Sequence, residues 1–167
     1  MNRHIARRLT ILMLALVIGA CGFHLRGTAD LAFTTLYIKG ASSISKDLTS
    51  TLKTNGVKVV SQPEDAEIMF EFVSDGVEKR ILSLGGSGSV REFELFYRLK
   101  FRIRNASEEL WGPEQMIEAR RDFSYLDTEL LAKSYEETML YEDMRHDATR
   151  ELMRRLVAQK PKAKAVK

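Results

Sequence analysis

Cys21 is the sole cysteine of the 167-residue chain, and the residues before it give its thiol a covalent use. The order Val17-Ile18-Gly19-Ala20-Cys21 is aliphatic, aliphatic, small, small, Cys, which reads as a lipobox. Such a thiol takes a diacylglyceryl thioether, and cleavage before it frees an α-amine for further acylation. Chain number matters, because each buried CH₂ contributes about 0.8 kcal/mol and a single acyl chain anchors only marginally. Upstream, Arg3, Arg7 and Arg8 precede the apolar run Leu9–Ile18, so residues 1–20 read as a secretory signal peptide. The run is too short to span a bilayer of ~30 Å as a permanent helix. Gly22, rather than Asp, follows the cysteine, which by the lipoprotein sorting rule directs the chain to the outer membrane. With Cys21 acylated, no disulfide can form within the chain, and packing alone must stabilise it.

Cations form the second set of chemically useful residues. Lys79, Arg80 and Arg91 flank the loop Gly85-Gly86-Ser87-Gly88-Ser89. Arg98, Lys100, Arg102 and Arg104 occupy alternate positions, and Arg120 and Arg121 follow later. Such a row either grips phosphates or acidic protein through charge-assisted hydrogen bonds, or forms the solvated face of a half-exposed sheet. Catalytic constellations are missing. Beyond residue 20 there are only His24 and His146, and no HExxH, CxxC, P-loop or GxSxG occurs. His146, beside Arg145 and Asp147, reads as part of a surface helix pair. No enzyme activity, metal or cofactor is expected.

Charge narrows the partners further. The first twenty residues hold three Arg and no acid, so the 26 basic residues fall to 23 without them, equal to the 23 acidic ones. The high isoelectric point thus belongs to the leader, and nucleic-acid binding loses its support. Lys160, Lys162, Lys164 and Lys167 make residues 160–167 a basic tail expected to be disordered.

The elements that position these residues follow from periodicity. Residues 21–33 have no period and read as a leader. Leu36–Ile38 is a short strand. Ile44, Leu48 and Leu52 mark a helix with Ser43 or Ser45 as N-cap and Asn55-Gly56 as its C-terminal stop. Val57–Val60 is a short strand or a strand-like connection. Ile68, Phe70 and Phe72 alternate with other residues, and Asp75-Gly76 marks a bulge or bend. Phe93, Leu95, Tyr97, Leu99, Phe101 and Ile103 recur at period 2, a second long strand that should pair with the first as an antiparallel hairpin. Gln115–Tyr125 is a third. Tyr141, Met144, Ala148, Leu152 and Leu156 define a last helix over about 136–159, with Lys133 in the loop before it. The fold class is α+β, a two-layer sandwich of two helices on a mostly antiparallel four-stranded sheet, one domain over residues 34–159.

The stretch Cys21-Gly22-Phe23-His24-Leu25-Arg26-Gly27 resembles the start of the mature LptE (RlpB) family, lipopolysaccharide-assembly lipoproteins of Gram-negative outer membranes, which typically begin Cys-Gly-aromatic-His-Leu-Arg. Leu52–Val57, the alternating strand Glu92–Ile103, Phe123-Ser124-Tyr125-Leu126-Asp127, Leu131-Ala132-Lys133 and the last helix are similar in the same order. The resemblance implies a non-enzymatic plug within the LptD barrel that takes part in placing lipopolysaccharide in the outer leaflet. It also implies lipopolysaccharide binding by basic residues near the hairpin tip and before the last helix. Lys133 matches one such position. The other falls near Gly86, where no base stands, and Lys79, Arg80 or Arg91 would substitute. A pilotin-like scaffold for another barrel or secretin fits the lipobox equally well.

Overall fold

A computed structural model describes residues 31–125 and 130–160. The signal peptide, Cys21, the Cys21–Gly27 stretch and all but the first residue of the basic tail lie outside the described residues. The elements are β1 (Thr35–Lys39), α1 (Ser45–Thr54), β2 (Lys58–Val60), a short 3₁₀ turn (Pro63–Asp65), β3 (Ile68–Leu84), β4 (Val90–Asn105), β5 (Gln115–Ser124) and α2 (Leu130–Val157).

The strands form one sheet in the order β2-β1-β3-β4-β5. β1 runs parallel to both β2 and β3, and the β3-β4-β5 meander is antiparallel. The α+β sandwich expectation holds, with five strands in place of four. The extra one is β2, whose three residues pair with Thr35–Tyr37. Both helices pack on the face carrying Leu95, Tyr97, Leu99, Phe101 and Ile103. Leu48 and Leu52 of α1 and Met144, Ala148, Leu152 and Leu156 of α2 close the core there. Phe33 is buried in this core and Leu31 packs against it, so the packed domain begins before residue 34.

Each helix of the structure corrects the sequence reading in one respect. For α1, Ile44 occupies the N-cap position, held there by burial of its side chain, and neither serine caps the helix. Ser43 instead donates from its N–H and hydroxyl to Asp75 Oδ2 at 3.0 and 2.7 Å, tying the loop to β3. The C-terminal stop is as expected. Gly56 takes φ +80°, and the N–H groups of Gly56 and Val57 donate to Lys53 and Leu52 carbonyls, a Schellman motif. For α2, the helix starts at Leu130 rather than near residue 136, and Lys133 is helical rather than in a loop. Its first turns overhang the core, with Leu131, Tyr135 and Met139 exposed, so they carry no inward stripe to read.

A break in the β3–β4 ladder positions the site. Phe72 pairs with Phe101 but Ser74 pairs with Lys100, leaving Val73 as the extra residue of a bulge. Below the bulge, even-numbered residues face the helices. Above it, odd-numbered ones do, so Val77, Lys79 and Ile81 share a face with Tyr97, Leu95 and Phe93.

Candidate functional site

The end of the hairpin brings Lys79 and Lys133 together on the helix side, with Arg91 at the adjoining tip. Lys79 projects over a cluster of aromatic rings, with Nζ 4.1 Å from the Phe93 centroid, 5.3 Å from Phe123 and 5.8 Å from Tyr125. Phe93 stacks on Phe123 at 5.9 Å and meets Tyr125 edge-on at 5.2 Å. The three rings reach this point because Phe93 and Phe123 are paired neighbours on β4 and β5. Lys133, one helical turn before Glu137, approaches from above. Its Nζ lies 5.9 Å from the Phe123 centroid and donates to Ser124 Oγ at 3.3 Å. Each lysine has a carboxylate beside it: Glu137 at 2.5 Å from Lys79 and Glu136 at 2.7 Å from Lys133. The Lys133 side chain is only 11 % exposed, its stem covering the rings.

Arg91 borders the same place from the hairpin tip. It lines an open cleft of about 770 Å³ with Gly85, Gly86, Ser124 and Tyr125. Tyr125 N–H donates to the Arg91 carbonyl at 2.8 Å, which pins the strand ends together. The Arg91 guanidinium makes no ion pair among the described residues. Gly86, the position where the family resemblance expects a base, lines this cleft too. Two ammonium groups and one guanidinium around a greasy floor can take a phosphate-bearing amphiphile: charge-assisted hydrogen bonds to the anion, ring faces to its apolar part.

Arg80 does not join them. It lies on the outer face, its Nε 2.5 Å from Glu78 Oε1 and its guanidinium 4.8 Å from the Phe96 centroid. Arg98 covers the same ring at 4.7 Å and pairs with both Glu78 and Glu118. Phe96 is thereby buried on the solvent face, which the alternation alone did not reveal. The rest of the basic row is likewise tied down by its own neighbours. Lys100 pairs with Glu114, Arg102 with Glu71, and Arg104 packs on Trp111 and donates to the Glu108 carbonyl. Of the two readings of this row, the geometry favours the solvated outer face. Arg80 holds the Glu78 carboxyl below the usual carboxylate range, with help from Arg98. Arg120 pairs with Glu94 on this face, whereas Arg121 reaches Asp143 and Asp147 of α2. His146 Nδ1 sits 3.2 Å from Asp47, an exposed link between α2 and α1 rather than a pair within α2.

Comparison with known sequences decides the family. The sequence model of LptE, described as lipopolysaccharide-assembly, matches residues 33–156. This chain belongs to the LptE family. A relative from Photorhabdus laumondii, named LPS-assembly lipoprotein LptE, is 25 % identical over 97 % of this chain and 93 % of its own length. Among solved structures, a lipoprotein B from Nitrosomonas europaea superposes with a TM-score of 0.71 at 42 % identity, over 82 % of this chain and 91 % of that one. The rare lipoprotein B of Shewanella oneidensis gives 0.68 at 26 % identity, over 75 % and 95 %. LptE membership thus rests on sequence over most of the described domain and on a shared fold.

Proposed function

We propose that this chain is an outer-membrane lipoprotein, anchored through acylated Cys21, that docks in the LptD barrel and binds lipopolysaccharide at the end of its β3–β4 hairpin. The observation that carries the binding reading is the convergence of Lys79 and Lys133 over the Phe93–Phe123–Tyr125 rings, beside the cleft that Arg91 and Tyr125 line. Lipid A offers phosphates next to acyl chains, and this site offers cations next to rings. Glu136 and Glu137 hold the two lysines until an anion competes for them. Arg91, with no carboxylate paired to it among the described residues, is the first contact. The role is non-catalytic: the site holds and orients a ligand. A chain whose charges balance beyond residue 20, with most of its outer-face cations paired to acids, also suits the polar lumen of a barrel.

Binding of purified protein to lipopolysaccharide tests this directly. Each charge-assisted contact is worth about 1.5–3 kcal/mol, so Arg91→Ala combined with Lys133→Ala should weaken binding by at least about a hundredfold. Unchanged affinity in the double variant contradicts the site.

A further inference from the structure

Among the described residues, most large apolar side chains left exposed lie toward one end of the molecule. They stand on β3 above the bulge (Val77, Ile81 and Leu84) and on the first turns of α2 (Leu131, Tyr135 and Met139). Single exposed apolar residues are ordinary, but a cluster of them marks a contact surface. The β3 members form a row. Val77 and Ile81 share the helix-side face, 49 % and 58 % exposed, and Ile81 is the cross-strand neighbour of Phe93. Lys79 stands between them at steps of roughly 7 Å. Its stem continues the row, while its ammonium is drawn over Phe93 to Glu137. Leu84, also 58 % exposed, extends the row into the cleft that Arg91 and Tyr125 line.

From Leu84 to Val77 the row is roughly 20 Å long, an elongated apolar strip that starts beside Arg91 and runs past the two lysines. That is the polarity of an amphiphile whose anion sits at one end and whose hydrocarbon runs away from it. The wall of a polar barrel lumen matches the strip poorly, because half-exposed Ile and Leu would then face polar groups. A methylene chain laid along the row removes the same apolar surface from water at no cost in unpaired polar groups. We propose that Leu84, Ile81 and Val77 form an acyl-chain subsite: with the ligand's phosphates at Arg91 and the lysines, one of its hydrocarbon chains lies along β3. The proposal rests on the reading of this end as the lipopolysaccharide site. It adds the direction in which the ligand lies and a dependence of affinity on the acyl chains.

The test measures the affinity of the full-length protein in detergent for lipopolysaccharide and for the same molecule stripped of its acyl chains. Ile81→Asn combined with Leu84→Asn should weaken binding of intact lipopolysaccharide by at least about tenfold and leave the deacylated form unchanged. Retained binding of the deacylated form also shows that the variant is folded. Leu110→Asn, at an exposed leucine in the loop between β4 and β5, should change neither. Arg91→Ala combined with Lys133→Ala should weaken both. An Ile81, Leu84 variant that binds intact lipopolysaccharide as wild type does overturns the subsite, and so does one that loses both ligands equally. If the Arg91, Lys133 variant still weakens binding in that experiment, the cation site stands and only the subsite fails; if it does not, both fail. In outer membranes, a photoreactive residue in place of Ile81 should cross-link to lipopolysaccharide. Cross-linking to the barrel alone assigns the row to the barrel and overturns the proposal.

Discussion

Lys79 and Arg80 are neighbours in sequence and lie on opposite faces of the sheet. One extra residue, Val73, makes the difference, because it shifts the alternation that begins at Ile68 by one. Lys79→Ala is therefore expected to weaken lipopolysaccharide binding by roughly tenfold, one charge-assisted contact, while Arg80→Ala leaves it unchanged. Titration of both variants with lipopolysaccharide checks this, and equal losses would contradict the two-faced arrangement. The types of the site residues were legible in the sequence, and so was the tip they flank. Their grouping was not. Nothing in Val73 marks a bulge, and the pairing of Arg98, Lys100 and Arg102 with acids depends on cross-strand register.

Glu71 is a second residue-scale case. Its carboxyl is largely buried, 3.0 Å from Lys39 and 2.6 Å from Arg102. Lys39 first and Arg102 second hold its pKa below the ordinary carboxylate value, against the opposing effect of burial. A folded-state pKa below the unfolded one adds stability that is complete above about pH 4.3 and fades as pH falls through the folded value. Glu71→Gln should lower Tm near neutral pH, and the gap from wild type should narrow on acidification below about pH 4. A gap independent of pH would contradict the ion-pair account.

At the scale of elements, β1 ends where Gly40 turns the chain. Gly40 has φ +83°, and a Cβ there would sit 2.8 Å from the Phe72 carbonyl oxygen. Gly40→Ala combines a left-handed strain of about 1 kcal/mol with that clash, so it should cost more than Gly56→Ala, where a Cβ meets nothing. Denaturant unfolding of the two variants separates them, and equal losses would contradict the close approach. Leu152→Ala, at a side chain with no exposure on the inner face of α2, should cost about 2–5 kcal/mol. Long elements with an unbroken apolar period were readable: α1, the core half of α2, β4 and the meander. β2, too short to show a period, was readable only as a short strand or a strand-like connection over Val57–Val60. The first turns of α2 are illegible because they face no core, which is also why the spacing leaves Lys133 outside the helix. Helical placement gives Lys133 its rigid approach to Phe123 and Ser124.

At the scale of the molecule, two helices cover only part of one sheet face, and the hairpin projects past them. The result is a core at one end and a tip of cations and aromatic rings at the other. The basic row that looked like a binding surface is largely closed off by its own acids, and the cations proposed to meet the ligand are the few at the tip. The opening Cys21 stretch, outside the described residues, is what points to an anchored protein in the sequence, while the family match supports the assembly role. The most direct measurement is affinity purification of the tagged, lipidated protein from outer membranes with mass spectrometry of what it carries. The account predicts a stoichiometric LptD barrel that survives washing, with lipopolysaccharide lost from the Arg91→Ala, Lys133→Ala variant but the barrel retained. Recovery of the protein without any barrel would contradict it.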